Sequence, residues 1–446
     1  LQSCKKAEDD PPTVDKQETF ISIQNYAAWH LCSTPLEFPE ATRSNDLSYG
    51  YNRALIAWNT IDPLFLRNNN TTPDHISNNS DLQSSHLVRE VFSNEIYPDF
   101  ESPNGIPSNI SVFNLSFYPE ERGPYNYETV ESDVSAGIDY NGKLKNPTSR
   151  WGGIIRKIEL SNLPDFTLDF WIMDPFFDGQ EYNGKLVFDV GDISEDVLKD
   201  NRLSCEANLP YDNNPSYLDT TAWGYVSNSE GTLFAFSYSG RENQDVGLDG
   251  LSSSNNTEQP FHLDFILKFD SMRVAGLLSE EVCFKLLNDP SSDDYHYFRG
   301  SDYDALELGI LERYKCFNNM EGNSPIGDSN TEAYPTSATS IPNTEDLNYD
   351  GILETTNNYM SFELPLTKEN LNSRAYQRDK RTVEVEFKNG VKDSITWYHI
   401  RIPKDYFHSP HGSLGTINNR YVRIYLTGFK KEVHLRFAKM DLAYYL

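Results

Sequence analysis

The sequence predicts a mainly β protein (α+β, with a few short helices) made of antiparallel, jelly-roll-like sandwich elements and long loops. Two observations predict it. Val383, Val385 and Phe387 alternate with Glu384 and Glu386, and Val433, Leu435 and Phe437 alternate with His434 and Arg436. Each segment therefore buries one face and wets the other, as antiparallel strands do. Short β-rich runs also recur, bounded by Gly, Asn or Asp.

Taken in order, residues 1–18 are polar and charged with Pro11 and Pro12, and read as a flexible tether. Residues 19–149 form a mixed N-terminal region. Within it 66–84 is an Asn/Ser/Thr-rich loop. Leu87, Val88, Val91, Phe92 and Ile96 recur at three- and four-residue spacing behind Ser85 and before Pro98. That spacing predicts a helix over 85–97. Ile110, Val112, Phe113, Leu115 and Phe117 predict a strand within 101–127, followed by a polar loop over 128–149.

Residues 150–446 read as a β-rich, sandwich-like region with an acidic loop excursion near 241–350. Strands are predicted over 154–160, 167–173, 185–190 and 233–238, and a loop over 208–216. Asp192 and Glu195 resemble a capping pair opening a short helix through Val197 and Leu198. Residues 263–287 carry mixed apolar spacing that fits neither period. Asp304 and Glu307 form a second capping pair before Leu308, Leu311 and Tyr314, predicting a helix over 305–317. The last hundred residues predict strands over 359–366, 382–387, 394–403, 419–426 and 432–437. Asn389-Gly390 lies between two of them as a hairpin signal. No repeat of about 20–50 residues is visible.

Charge narrows the partners. The 446 residues hold 38 Lys+Arg against 67 Asp+Glu, a net charge of −29. Such a field repels nucleic acid and anionic lipid, so neither is a primary partner. Aromatic residues make up 13% of the chain, which a disordered chain would not carry. No apolar run reaches the roughly 18 residues of a transmembrane helix. Alternating ten-residue segments are too few for a membrane barrel of its own.

Five cysteines occur, Cys4, Cys32, Cys205, Cys283 and Cys316, with no CxxC pair. Leu1-Gln2-Ser3-Cys4 reads like the end of a lipoprotein signal, with an acidic tether behind it. Cys4 is therefore a candidate lipid attachment site. The other four allow one or two bridges whose pairing the sequence leaves open.

The sharpest local motif runs from Asp346 to Asn357. Asp346, Asn348 and Asp350 followed by Gly351 resemble the opening half of a calcium loop, with Ile352, Glu354 and Asn357 at later ligand positions. An EF-hand loop wants a bidentate Glu where Asn357 stands. The alternative is an Asx-rich turn. Structural calcium is the one cofactor this pattern suggests. No GxSxG, HExxH or Walker pattern is present, so no enzyme is expected. Acidic pairs such as Glu120-Glu121, Glu280-Glu281 and Asp293-Asp294 read as solvated surface. His408 and His411 read as a solvated loop. Trp151, Trp171, Trp223 and Trp397 read as core rather than sugar-stacking platforms.

Several long strings then align with one family: SYGYNRALIAWNTIDPLF (48–65), FYPEERGPYNY (117–127), RWGGIIRKIE (150–159) and FWIMDPF (170–176). FDVGDISEDVLKD (188–200), DVGLDGL (245–251), DDYHYFRGSDYD (293–304), YPTSATSIPNTEDLNYDG (334–351) and RYVRIYLTGFKKEVHLRF (420–437) follow in order. The chain resembles the SprA/Sov family, the outer-membrane translocon of the type IX secretion system and of gliding motility in Bacteroidetes. The resemblance implies a very large β-barrel with soluble segments around it, and no catalytic residues to carry over. Implied partners are the translocon barrel, its outer-membrane and periplasmic accessory proteins, and secreted cargo. This chain is far shorter and lacks barrel-like segments. It is therefore expected to be one soluble, extracellular region of such a protein, or a short relative, at the outer membrane and cell surface. The competing expectation is a surface lipoprotein that binds glycan or protein.

Overall fold

The computed structural model describes residues 18–99, 108–158, 165–253, 257–317, 322–324, 341–412, 418 and 420–445. The proposed tether and Cys4 lie outside the described residues, except that Glu18 opens the first strand.

Two antiparallel sheets face each other. Their strands, in chain order, are β1 (Glu18–Ser22), β2 (His30–Leu31), β3 (Ala54–Asn59), β4 (Phe113–Arg122), β5 (Trp151–Lys157), β6 (Thr167–Met173) and β7 (Lys185–Asp192). The C-terminal part adds β8 (Asn358–Pro365), β9 (Gln377–Glu386), β10 (Lys392–Pro403), β11 (His408–His411), β12 (Tyr421–Thr427) and β13 (Val433–Tyr445). One sheet runs β9-β10-β6-β13-β4-β3, with β1 also pairing β13; the other runs β11-β8-β7-β12-β5-β2. This is a β-rich α+β sandwich, as the alternation predicts.

The inner faces share one core. Phe113, Leu115 and Phe117 of β4, Leu168, Phe170 and Ile172 of β6, and Val433, Leu435 and Phe437 of β13 meet Leu186, Phe188 and Val190 of β7 and Val422, Ile424 and Leu426 of β12. The period of two brings every second side chain inward. In β13 the phase slips once, since Met440 and Leu442 are also core residues. A register shift between Phe437 and Lys439 supplies the extra residue, the geometry of a bulge. The outer faces are covered too. Val91, Ile96 and Val112 pack on Trp171, Ile395 and Trp397, while Leu347 and Ile193 pack with Trp151, Tyr359 and Tyr421.

The division at 149/150 does not separate two bodies: β1–β4, all before it, enter both sheets beside strands from the C-terminal half. Strands predicted in the last hundred residues all form, and β13 runs on to Tyr445. The Asn389-Gly390 hairpin forms as well. Gly390 N donates to Phe387 O and Phe387 N to Val391 O, and Gly390 has φ +82, a turn followed by a left-handed residue. A Cβ at Gly390 would meet nothing within 4 Å. Gly390→Ala is therefore expected to cost only the conformational strain, about 1 kcal/mol, read as a shift in the urea midpoint.

Four predicted elements are corrected. The helix over 85–97 shrinks to one turn, Ser93–Ile96. Its apolar residues do not share one face: Val88 joins a cluster with Phe65 and Tyr314, whereas Val91 and Ile96 cover the sheet. The helix over 305–317 splits into Ser301–Ala305 and Ile310–Arg313, with Glu307 at φ +52 between them. No helix follows Asp192, which ends β7. No strand forms over 233–238, where Leu233 and Phe234 are exposed.

The unreadable stretch holds two helices, α1 (Leu263–Val274) and α2 (Glu280–Asn288). Phe265, Phe269 and Met272 of α1 face the core, while Leu263, Leu267 and Val274 are exposed and blur the pattern. Ser279 caps α2 by accepting from Val282 N, and Glu280 and Glu281 suit its positive end. The four described cysteines, Cys32, Cys205, Cys283 and Cys316, are unpaired.

Candidate functional site

The loop predicted for calcium places its side chains on three different duties. Asp346 is fully buried. Its carboxylate accepts from Asp350 N (3.1 Å), Gly351 N (2.7 Å) and Thr232 Oγ1 (2.6 Å). Asn348 accepts from Asp350 N at 2.9 Å and donates to Tyr421 Oη at 3.3 Å. Asp350 accepts from Ile352 N. Ile352 is exposed. Glu354 pairs with Arg420 (2.6 and 3.1 Å), and Asn357 accepts from Ser194 N at 3.2 Å. Tyr349 (φ +59) and Gly351 (φ +79) turn the chain so that the N–H groups at Asp350 and Gly351 reach back to Asp346. These hydrogen bonds account for the Asp-x-Asn-x-Asp-Gly spacing as an Asx turn.

The same device explains the missing helix after β7. Asp196 accepts from Asp200 N and Asn201 N, both at 3.1 Å, with Lys199 and Asn201 at φ +56 and +61. Glu345 reaches across to accept from Val197 N (2.7 Å), Leu198 N (3.2 Å) and Ser204 N (3.0 Å). Glu195 accepts from Leu347 N (2.9 Å), Glu354 N (3.2 Å) and Tyr421 Oη (2.8 Å). These carboxylates thus tie loops together inside the protein. Burial raises Glu195, Asp196 and Glu345. Glu195 is pushed up to about 7, and Glu345 goes well above the usual range through burial and then its neighbours Asp196 and Asp200.

Two fully buried arginines anchor this network. Arg150 donates to Glu128, to Tyr51 O (2.9 Å) and to Lys145 O (2.9 and 2.7 Å). Arg53 donates to Pro124 O (3.2 Å) and Val197 O (3.1 Å). Asn126 donates to Tyr51 O and Arg53 O, and Trp151 Nε1 to Glu40 at 3.0 Å. The strings at 48–65, 117–127, 150–159 and 188–200 therefore fold onto one another. Sequence reasoning missed this junction because its partners lie up to 144 residues apart and most of the acceptors are backbone carbonyls.

The remaining candidates resolve simply. Trp151, Trp171, Trp223 and Trp397 are all buried. His408 and His411 form β11, and His411 stacks on Tyr359 at 4.9 Å. Among the described residues, one group of carboxylates clusters at metal-binding separation: Asp289, Asp293 and Asp294. A cleft of about 400 Å³ lies between Arg89–Glu95 and the end of β9, and its Arg89 and Glu95 are already paired.

Residues 270–445 match the family model SprA_N, described as a motility related/secretion protein. This stretch is similar to that family. A search of the curated proteins finds no match to the chain. The matched stretch begins inside α1 and includes β8–β13. It is interleaved with the rest, since β12 lies between β7 and β5, and β13 between β6 and β4. The SprA_N stretch and residues 18–192 therefore complete a single sandwich. Among the described residues no helix is long and apolar enough to cross a membrane.

Proposed function

We propose that this chain is a soluble, extracellular, non-enzymatic region of the type IX outer-membrane translocon, contributing to protein export and gliding motility. The observation that carries the reading is the SprA_N match over 270–445. Its description as motility related and secretion related fits that role. The internal use of Glu195, Asp196, Glu345 and Asp346 as loop ties supports a structural region over an acid/base site. The partners in this reading are the translocon barrel, its accessory proteins and the cargo that passes through.

The test is a clean deletion of this region from a full-length relative. The outer-membrane level of the shortened protein is measured beside cargo secretion. Loss of secretion with the barrel still in the outer membrane is expected. Normal secretion and gliding after the deletion would sink the reading.

A further inference from the structure

The chain around α2's C-terminal end gathers five carboxylates: Asp249, Glu258, Asp289, Asp293 and Asp294. Asp293 is fully buried and Asp289 half-buried, while Asp294 reaches solvent. Ligand oxygens of Asp289, Asp293 and Asp294 lie within 4.8 Å of one another. Most oxygens have partners. Asp293 Oδ1 accepts from Ser291 Oγ at 2.5 Å. Asp289 accepts from Asp293 N at 3.1 Å, and Asp294 from Asn323 Nδ2 at 2.7 Å. Glu258 accepts from Ser291 N and Ser253 Oγ, and Asp249 from Leu251 N at 3.0 Å.

Asp293 Oδ2 is different. It is buried with no hydrogen-bond partner. It lies against Gly247, where a Cβ would come within 2.2 Å of it, so it is enclosed between the 245–251 loop and the acidic turn. None of the five carboxylates forms an ion pair among the described residues. The neighbouring cation, Arg122, spends its guanidinium on Asn126 O and Pro290 O. A buried carboxylate oxygen with neither donor nor counter-ion is costly. The same is not true of Asp196, Glu345 or Asp346, whose oxygens N–H groups fill.

We infer that Asp289, Asp293 and Asp294 bind a divalent cation, with calcium the fitting ion. The donors are hard oxygens, the cluster contains carboxylates alone, and calcium tolerates irregular oxygen sets where magnesium demands an octahedron. The exposed Asp294 gives the ion its route to buried Asp293. The bound ion would clamp the 289–294 turn to α2 and the 245–251 loop. This assignment is independent of the secretion reading.

The experiment uses the purified chain stripped with a chelator, then titrated with calcium chloride by calorimetry and followed by thermal melting. One binding isotherm and a rise in Tm are expected. Asp293→Asn should melt at or above the temperature of the calcium-free wild type, because it removes an uncompensated charge, and should lose the calcium-induced rise. Asp294→Asn, at the exposed edge, should weaken binding at least tenfold. Asp350→Asn, in the calcium-like loop, should bind as the wild type does. No heat and no Tm shift in the folded wild type would overturn the assignment. So would calcium binding undiminished in both Asp293→Asn and Asp294→Asn, or binding lost in Asp350→Asn instead.

Discussion

Replacing Arg150 by methionine is expected to destabilise the protein by about 3–5 kcal/mol. Arg150 and Glu128 are both fully buried. The guanidinium also satisfies Lys145 O, Tyr51 O and Gly137 O. Removing it leaves a carboxylate without its counter-ion and several carbonyls without donors. That loss is comparable to the whole stability of a marginal domain, about 5–15 kcal/mol. Replacing both partners, Arg150→Met with Glu128→Leu, should recover a large part, because the stranded charge disappears with its partner. The pair Arg423 and Asp189, at 2.6 and 2.8 Å and also fully buried, should behave likewise. Urea unfolding of the two single variants and the double variant closes the cycle. A single Arg150→Met variant within about 0.5 kcal/mol of the wild type would mean that water reaches Glu128, so that surface-pair energetics apply.

How much of this could be read in advance depended on range. Strands whose faces alternate, such as 383–387 and 433–437, were legible because the period is local and each residue's environment follows from its parity. The sandwich followed from them. The breaks in the pattern were not legible. The shift near Ala438 moves the core side of β13 by one residue, and only pairing with β6 reveals it. Leu87, Val88, Val91 and Ile96 mimic one helical face while serving two separate clusters. The carboxylate network was illegible for a related reason. Asp346-Leu-Asn-Tyr-Asp-Gly and Asp196-Val-Leu-Lys-Asp-Asn both use an aspartate to collect the N–H groups four and five residues on. One of them reads as a calcium loop and the other as a helix start. Asp, Asn and Gly favour all of these outcomes, so only the positive φ values decide.

The network also sets an unusual pH dependence. Between about pH 7.5 and 5 the protein is expected to become more stable as pH falls. Glu195 is almost fully buried, and burial pushes it from 4.5 up to about 7 despite the hydroxyl of Tyr421 and the N–H groups of Glu354 and Leu347. Asp200 is pushed up to about 6 by burial and then by Asp196, with Arg202 opposing. Asp196 itself is raised by burial, with Lys199 opposing. A carboxyl whose folded pKa exceeds its unfolded one binds its proton more tightly in the native state. In the window between the two values the unfolded chain holds fewer protons, so stability falls as pH rises and levels off above the folded pKa. For Glu195 the whole step is on the order of 3 kcal/mol. Discharging part of the −29 net charge acts in the same direction. The gain ends in acid. Burial opposes ionisation of Asp169, yet His399, Lys439 and Arg401 hold its carboxyl below 3.8, so its contribution is lost as pH falls through that lowered value. Urea unfolding from pH 4 to 8 should therefore show a maximum on the acid side of neutrality. Glu195→Gln should flatten the slope between pH 5 and 7 by up to one proton's worth, about 1.4 kcal/mol per pH unit, whatever it does to absolute stability. A wild type whose stability falls steadily from pH 7.5 to 5 would show that these carboxyls are already ionised and compensated in the native protein.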